Sequence, residues 1–422
     1  MPKVSTSRAK SSASSAAITI RMYRVGFGDC FLVTLPVVGG SAYILVDCGV
    51  HARGDIGSLK EVVANIAAVT GRKLAVVIAT HAHQDHIAGF NKFADEFKKF
   101  QIGEVWLPWT WDPANPTAVK LQAKHAALTA ALAAHLTALS SPSRAAVDAV
   151  ANLSGNATAI ALLKSGFGVG ATVRYVKAGN TIADPAAIKG LSVRVLGPPD
   201  SEEFLAQMDP PAGQHYLRAA GSNGGDQSPV EPFGSRWRAP QAAIADAELL
   251  LSPEDERLVE QATDTPAEDL AFALDKARNN ESVVTLLAYR GRNLLFAGDA
   301  QYGNWRWWLD NAHPEDILPQ VSFFKVAHHG SVNATPKQAL EAMTDGQFAA
   351  MVSTQSTPWA SIPRVPLMAR LSEKTQKHTV RSDWLPVKGA PSPALKTAPT
   401  QPATLPAGFA KGALWFDYTL SV

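Results

Sequence analysis

The run 73–79 is continuously apolar and β-branched after its first lysine, so a buried strand is expected there. His81, His83, Asp85 and His86 follow at once. Few folds accommodate this arrangement, because four polar, ligand-type side chains must be carried at the end of a strand with no solvent on either face. Residues i and i+2 of an extended segment point the same way, so His81 and His83 can face one ion. Asp85 and His86 fall where the chain turns into a helix and point to an adjacent position. Imidazole and carboxylate together suit zinc, with manganese or iron as alternatives. The competing reading is a polar loop with chance histidines. It is disfavoured because five of the eleven histidines fall in two short motifs, each ending an expected buried strand.

The second of those motifs is Lys325-Val326-Ala327-His328-His329-Gly330-Ser331, at the end of an expected strand over 321–327. A third segment, 294–299, ends an apolar run in Gly298-Asp299. A carboxylate at that point can bridge two ions, although an Asp after Gly is usually only a turn. One histidine of the 328–329 pair can complete a second metal position. The other can contact substrate or protonate a leaving group.

Between these motifs the pattern is strands followed by helices, repeated in each half. Strands are expected over 18–35 (two, joined by a turn at 26–29), 42–46, 104–107, 171–176, 191–196, 282–289, 293–297, 349–353 and 412–420. Helical spacing covers 59–69, 87–100, 305–309 and 367–371. Residues 112–170 are Ala-rich and read as a helical insertion broken at 140–143. Residues 200–265 are polar and rich in Pro, Gly and Asp, an irregular excursion. Residues 386–408 read as a Pro/Ala-rich loop, and 1–17 as a Ser/Ala-rich disordered tail without the apolar core of a secretory signal. The remainder, 18–422, is expected to form one domain, an α/β sandwich of sheets flanked by helices.

Composition narrows the partners. Apolar residues make up 46 % of the 422, charged residues 18 %, and the formal charge is +2. That is a globular chain with a sizeable core and no general nucleic-acid coat. No apolar run approaches the roughly 18 residues that span a bilayer. Two cysteines, Cys30 and Cys48, read as buried reduced thiols, which places the chain in the cytoplasm by expectation.

These motifs resemble the metallo-β-lactamase superfamily, whose signature is His-x-His-x-Asp-His. The similarity extends to Val25-Gly26-Phe27-Gly28-Asp29-Cys30, to Ile44-Leu45-Val46-Asp47-Cys48-Gly49, to Asn280-Glu281-Ser282-Val283-Val284 with Gly298-Asp299, and to His328-His329-Gly330-Ser331. Within the superfamily they look most like the hydrolase domain of ComEC-type DNA-uptake proteins and its free-standing relatives. The resemblance covers 18–110 and 280–385. It implies an αββα four-layer sandwich and a dinuclear metal-dependent hydrolase that uses a metal-bridging hydroxide. His81 and His83 would hold the first ion, Asp85, His86 and His329 (or His328) the second, with Asp299 between them and Asp47 orienting the ligands. Asp85 would also orient the attacking water, and His328 would bind the oxyanion or protonate the leaving oxygen. A phosphodiester, small or in weakly held nucleic acid, is the expected substrate. A carboxylic ester, lactone, thioester or amide is the alternative, and a catalytically weak metal-dependent binding protein a third.

Two departures stand out. The further histidine of many superfamily members has no strong counterpart: His215 lies in the excursion, His125 and His135 in the insertion. Ser361-Ile362-Pro363 stands where the subgroup carries a histidine. Other residues read blandly. The tryptophans at 106, 109, 111, 305, 307 and 308 read as packing beneath inserted helices rather than a base-stacking wall. His51 reads as a surface histidine, Gly26-x-Gly28 as a hairpin turn, and Lys325 as equally a surface lysine or a source of charge. Arg290 and Arg292 are candidates for charge near the site.

Overall fold

The computed structural model describes residues 16–51, 54, 56–138, 150, 156–211, 213–216, 278–355, 362–384 and 404–422. The expected tail up to residue 15, the helical break at 140–143, the excursion beyond 216, Ser361 and most of the 386–408 loop lie outside these residues.

Two sheets form. The first contains β1 (Ala17–Tyr23), β2 (Phe31–Val37), β3 (Gly40–Val46), β4 (Lys73–Ile78), β5 (Gln101–Pro108) and β6 (Thr172–Val176). The second contains β7 (Thr181–Ala183), β8 (Leu191–Gly197), β9 (Val284–Tyr289), β10 (Arg292–Phe296), β11 (Val321–Lys325), β12 (Ala349–Val352) and β13 (Thr379–Arg381). The closing strands β14 (Phe409–Lys411) and β15 (Trp415–Ser421) return to the first sheet, whose order is β14-β15-β1-β2-β3-β4-β5-β6. The second runs β13-β12-β11-β10-β9-β8-β7.

Three apolar cores separate four layers. Ile18, Ile20, Met22, Val76 and Ile78 of the first sheet meet Val193, Leu287, Leu294, Phe296 and Phe323 of the second. Val77 and Ala79 point the other way, onto helix Leu59–Thr70 and helix Gln84–Lys92. Leu295 and Phe324 likewise turn outward, to helices Tyr302–Asn311 and Val365–Lys374. The alternation is the period-2 geometry of strands. Because both faces are covered, the strands read as continuous apolar runs instead of alternating ones. Burying each such side chain is worth about 1.5–3 kcal/mol relative to exposure. The result is a mixed α/β fold with two sheets between helical layers, as expected of a metallo-β-lactamase-like chain.

Differences from the expectations are local. The helix expected over 87–100 begins at Gln84 and breaks at Phe93 into Gln84–Lys92 and Ala94–Phe97. The insertion contributes helices Pro116–Ala138 and Ala157–Lys164. Part of the excursion is ordered: the Asn280 side-chain amide donates to Leu205 O (3.1 Å) and Gln207 O (2.7 Å), fixing the 201–207 segment against the second sheet. Among the described residues, no helix is long and apolar enough to cross a membrane.

Candidate metal centre

β3 and β4 are parallel neighbours, and so are β10 and β11. Their C-terminal ends therefore share one edge of the sandwich. Asp47 follows β3, His81 to His86 follow β4, Gly298-Asp299 follow β10 and His328-His329 follow β11. The two sheets are stitched there by Val283 N, which donates to Thr80 O at 2.9 Å. Gly298 permits the approach. It has φ +52°, and a Cβ on it would lie 3.0 Å from Thr80 Cβ and 3.1 Å from Ser282 Cβ.

Four donors converge at this edge, all buried: Asp85, His86, Asp299 and His329. His86 Nε2 lies 3.1 Å from Asp299 Oδ2 and 3.9 Å from Asp85 Oδ2. His329 Nε2 lies 3.1 Å from Asp85 Oδ2 and 3.3 Å from Asp299 Oδ2. Ligands about 2.0–2.1 Å from a tetrahedral zinc stand roughly 3.3 Å apart, so this spacing is that of a coordination shell. His86 Nε2 and Asp85 Oδ1 are buried without a hydrogen-bond partner. Buried polar atoms are rarely left so, and an ion between them answers both. The donor set fits a divalent transition metal.

The far sides of the rings are held. Asp47 Oδ2 lies 2.8 Å from His86 Nδ1, and the same carboxylate accepts from Thr80 N (2.8 Å) and Thr80 Oγ1 (2.7 Å). His329 Nδ1 lies 2.8 Å from Ser353 O. Each ring thus donates through Nδ1 and turns its Nε2 inward, the usual support for metal-binding imidazoles. Asp47, His328 and His329 all adopt positive φ (56°, 46° and 54°). Such backbone costs of order 1–3 kcal/mol per residue and clusters at functional sites.

His81 and His83 form a second pair, with His81 Nε2 2.9 Å from His83 Nδ1. His81 Nδ1 is near Thr80 Oγ1 (3.1 Å) and Ser282 Oγ (3.2 Å). Among the described residues, no group of three or more donors within mutual reach includes this pair. His125, from the insertion, is engaged elsewhere: its Nδ1 lies 3.1 Å from Glu281 Oε1, and Glu281 also accepts from Thr110 Oγ1 at 2.7 Å. The His125 contact ties the insertion to the loop that carries Ser282, and the Thr110 contact ties the segment after β5 to it. His328 stands beside the cluster, half-buried, with its ring centroid 6.0 Å from that of His329. Of the double histidine it is His329 that joins the four donors.

Electrostatics follow from the crowding. Burial opposes charge on His86, but Asp299, Asp47 and Asp85 outweigh it and raise its pKa well above the ordinary value. Burial is likewise overcome at His329, where Asp299 and Asp85 raise the pKa to about 10. Asp299 and Asp85 are held below the usual carboxylate range against burial, chiefly by His86 and His329. His81 is pushed well below its ordinary value by burial and by His86 and His83.

Residues 23–118 match the Metallo-beta-lactamase superfamily. The match takes in Asp47 and the 81–86 motif, and it ends well before Asp299 and His329, which the fold brings to the same edge. Members of that superfamily are mostly metal-dependent hydrolases. A solved beta-lactamase domain protein from Burkholderia ambifaria is similar at 17 % identity, over 42 % of this chain and 45 % of that one, with a TM-score of 0.22. The chain therefore spans less than half of that protein's length, and a likeness so slight carries no structural inference. Comparison with curated proteins finds no match.

Several sequence expectations need correction. The 24–30 segment is more than a hairpin turn. It folds into the site, with Asp29 N donating to Asp85 O and Gly49 N to Asp29 O, both at 2.9 Å, and with the Phe27 ring 4.1 Å from that of His329. His51 is buried and packs edge-on against Phe27. Lys325 is buried among carboxylates, which excludes the surface reading. Arg290 and Arg292 flank the turn that precedes β10, so the whole strand separates them from Asp299. Trp109 and Trp111 pack against the inserted helices, as expected, whereas Trp106 is buried between the two sheets and Trp305 and Trp308 in the outer core of the second. Cys30 and Cys48 are buried free thiols. Asp29 and Ser282 were visible only as parts of longer motifs, with no periodicity to mark either as a site residue.

Proposed function

We propose that the chain is a dinuclear zinc-dependent hydrolase acting on a small-molecule phosphodiester. The observation that carries this is the buried convergence of Asp85, His86, Asp299 and His329 at 3.1–3.9 Å. In this reading those four would hold one ion, and His81 and His83 would hold the other, with Asp299 shared between the two and Asp47 orienting His86. A bound metal pair would supply an activated water and Lewis-acid stabilisation of developing charge.

The chain's own groups do the rest. Asp85, kept ionised against its burial by His86 and His329, would orient the attacking water. His328, half-buried at the rim, protonates the departing oxygen. The small-molecule preference over nucleic acid rests on charge and shape. Arg290 and Arg292 lie at the far end of β10, Lys325 is buried, and five tryptophans that could have stacked bases are in the core. The two buried thiols fit a reducing compartment such as the cytoplasm.

The test is turnover of a generic aryl phosphodiester, an aryl carboxylic ester and single-stranded DNA by metal-loaded protein, with Asp85→Ala and His329→Ala as controls. Phosphodiester turnover that both substitutions reduce by about a hundredfold or more, at least about 2.7 kcal/mol, is expected. Turnover of the ester alone moves the assignment to ester, lactone, thioester or amide hydrolysis. No turnover with metal bound leaves a binding protein.

A further inference from the structure

Lys325 ends β11 directly beneath the four-donor cluster, and its side chain is 2 % exposed. Its ammonium donates to Gly298 O at 2.7 Å, stands 3.3 Å from Asp299 Oδ1, and forms a closer contact with Asp29 Oδ2. Asp29 comes from the other sheet, on the 24–30 loop, and is equally buried. Neither residue is among the four converging donors, yet both touch them: Asp29 Oδ1 lies 3.7 Å from His329 Nδ1 and Asp29 Oδ2 3.8 Å from His86 Nδ1.

We infer that Asp29 is a positioning residue for Asp299: by engaging the Lys325 ammonium it leaves the Asp299 carboxylate available to a divalent ion. The inference rests on the metal reading above. A buried ammonium must have a carboxylate partner, because leaving a buried charge uncompensated is strongly destabilising. Among the described residues two carboxylates are within reach of Lys325, and Asp29 is the nearer. Without Asp29 the ammonium turns to Asp299 alone and competes with the ion for it. The pair Asp29–Lys325 is also neutral as a unit. Removing both charges should therefore disturb the metal position less than removing Asp29 alone.

The experiment is a Zn2+ titration of chelator-stripped full-length protein against a chromophoric competing chelator. Asp29→Asn should weaken the tighter site by about 10–100-fold, the range found when a ligand's supporting partner is lost. The double variant Asp29→Asn with Lys325→Met should bind within about threefold of wild type, a recovery that a merely structural role for Asp29 would not give. Lys325→Met alone should bind at least as tightly as wild type, and it decides the matter if Asp29→Asn fails to fold. Wild-type affinity in Asp29→Asn, a double variant as weak as the single, or a tenfold loss in Lys325→Met overturns the inference. Wild-type protein that takes up no Zn2+ overturns the metal reading and this inference with it. Binding by wild type with no effect of Asp29→Asn overturns this inference alone.

Discussion

Replacing Asp299 by alanine should abolish turnover by about a thousandfold or more, about 4 kcal/mol of transition-state stabilisation, while the sheets stay intact. Asp299 Oδ2 is the oxygen common to His86 Nε2 and His329 Nε2, and Oδ1 faces Lys325. Its loss removes the carboxylate that faces His86, His329 and Lys325 and with it a donor that the proposed ions would share. Steady-state rates, metal content and circular dichroism on the same preparation check the claim. Asp310→Ala is the control, because Asp310 is exposed on the following helix and, among the described residues, pairs with Arg306 at 3.4 Å. Wild-type turnover in Asp299→Ala would sink the assignment of Asp299.

The second large effect is the opposite pH dependence of stripped and loaded protein. In metal-free protein, His329 has its pKa raised to about 10 and His86 is raised as well, so their protonated forms are stabilised by folding. That contribution is fully present below the unfolded value of about 6.5 and is lost as pH rises through about 10. Asp85 and Asp299 are shifted down, so their contribution is present above about 4 and is lost as pH falls further. His81, shifted down, contributes above about 6.5 and its contribution is lost as pH falls below that, so stripped protein should be most stable near pH 6.5, and its Tm should drop by roughly 5–10 °C from pH 6.5 to 10. Metal binding requires unprotonated imidazoles, so the stabilisation that Zn2+ confers should grow over the same range. Differential scanning fluorimetry at matched ionic strength measures both curves. Superimposable curves with and without Zn2+ at every pH would contradict the account.

What the sequence revealed of this site follows from distance along the chain. The 81–86 motif was legible because four ligand types and the strand that aims them are contiguous. Asp299 and His329 were legible as strand-end residues, once two parallel pairs were expected to share an edge. Asp29 was not, because nothing local makes a Gly-flanked Asp turn inward. Its place is set by contacts with Gly49 and Asp85, which are distant in sequence. Lys325 followed the same logic: a lysine closing an apolar strand looks solvated until the carboxylates above it are placed. His51 was misjudged because the Phe27 side chain that covers it belongs to the same folded-in loop. Among the elements, β7 and β13 are three residues each, too short for any periodic signal. The early start of helix Gln84–Lys92 was masked because its first turn is spent on Asp85 and His86.

The central claim is that this edge of the sandwich holds divalent metal, and elemental analysis tests it most directly. Protein purified without added chelator and exchanged into metal-free buffer should retain at least about one equivalent of transition metal, mainly zinc. Incubation with Zn2+ should bring this to about two. Protein that holds no stoichiometric transition metal before or after incubation would contradict the account.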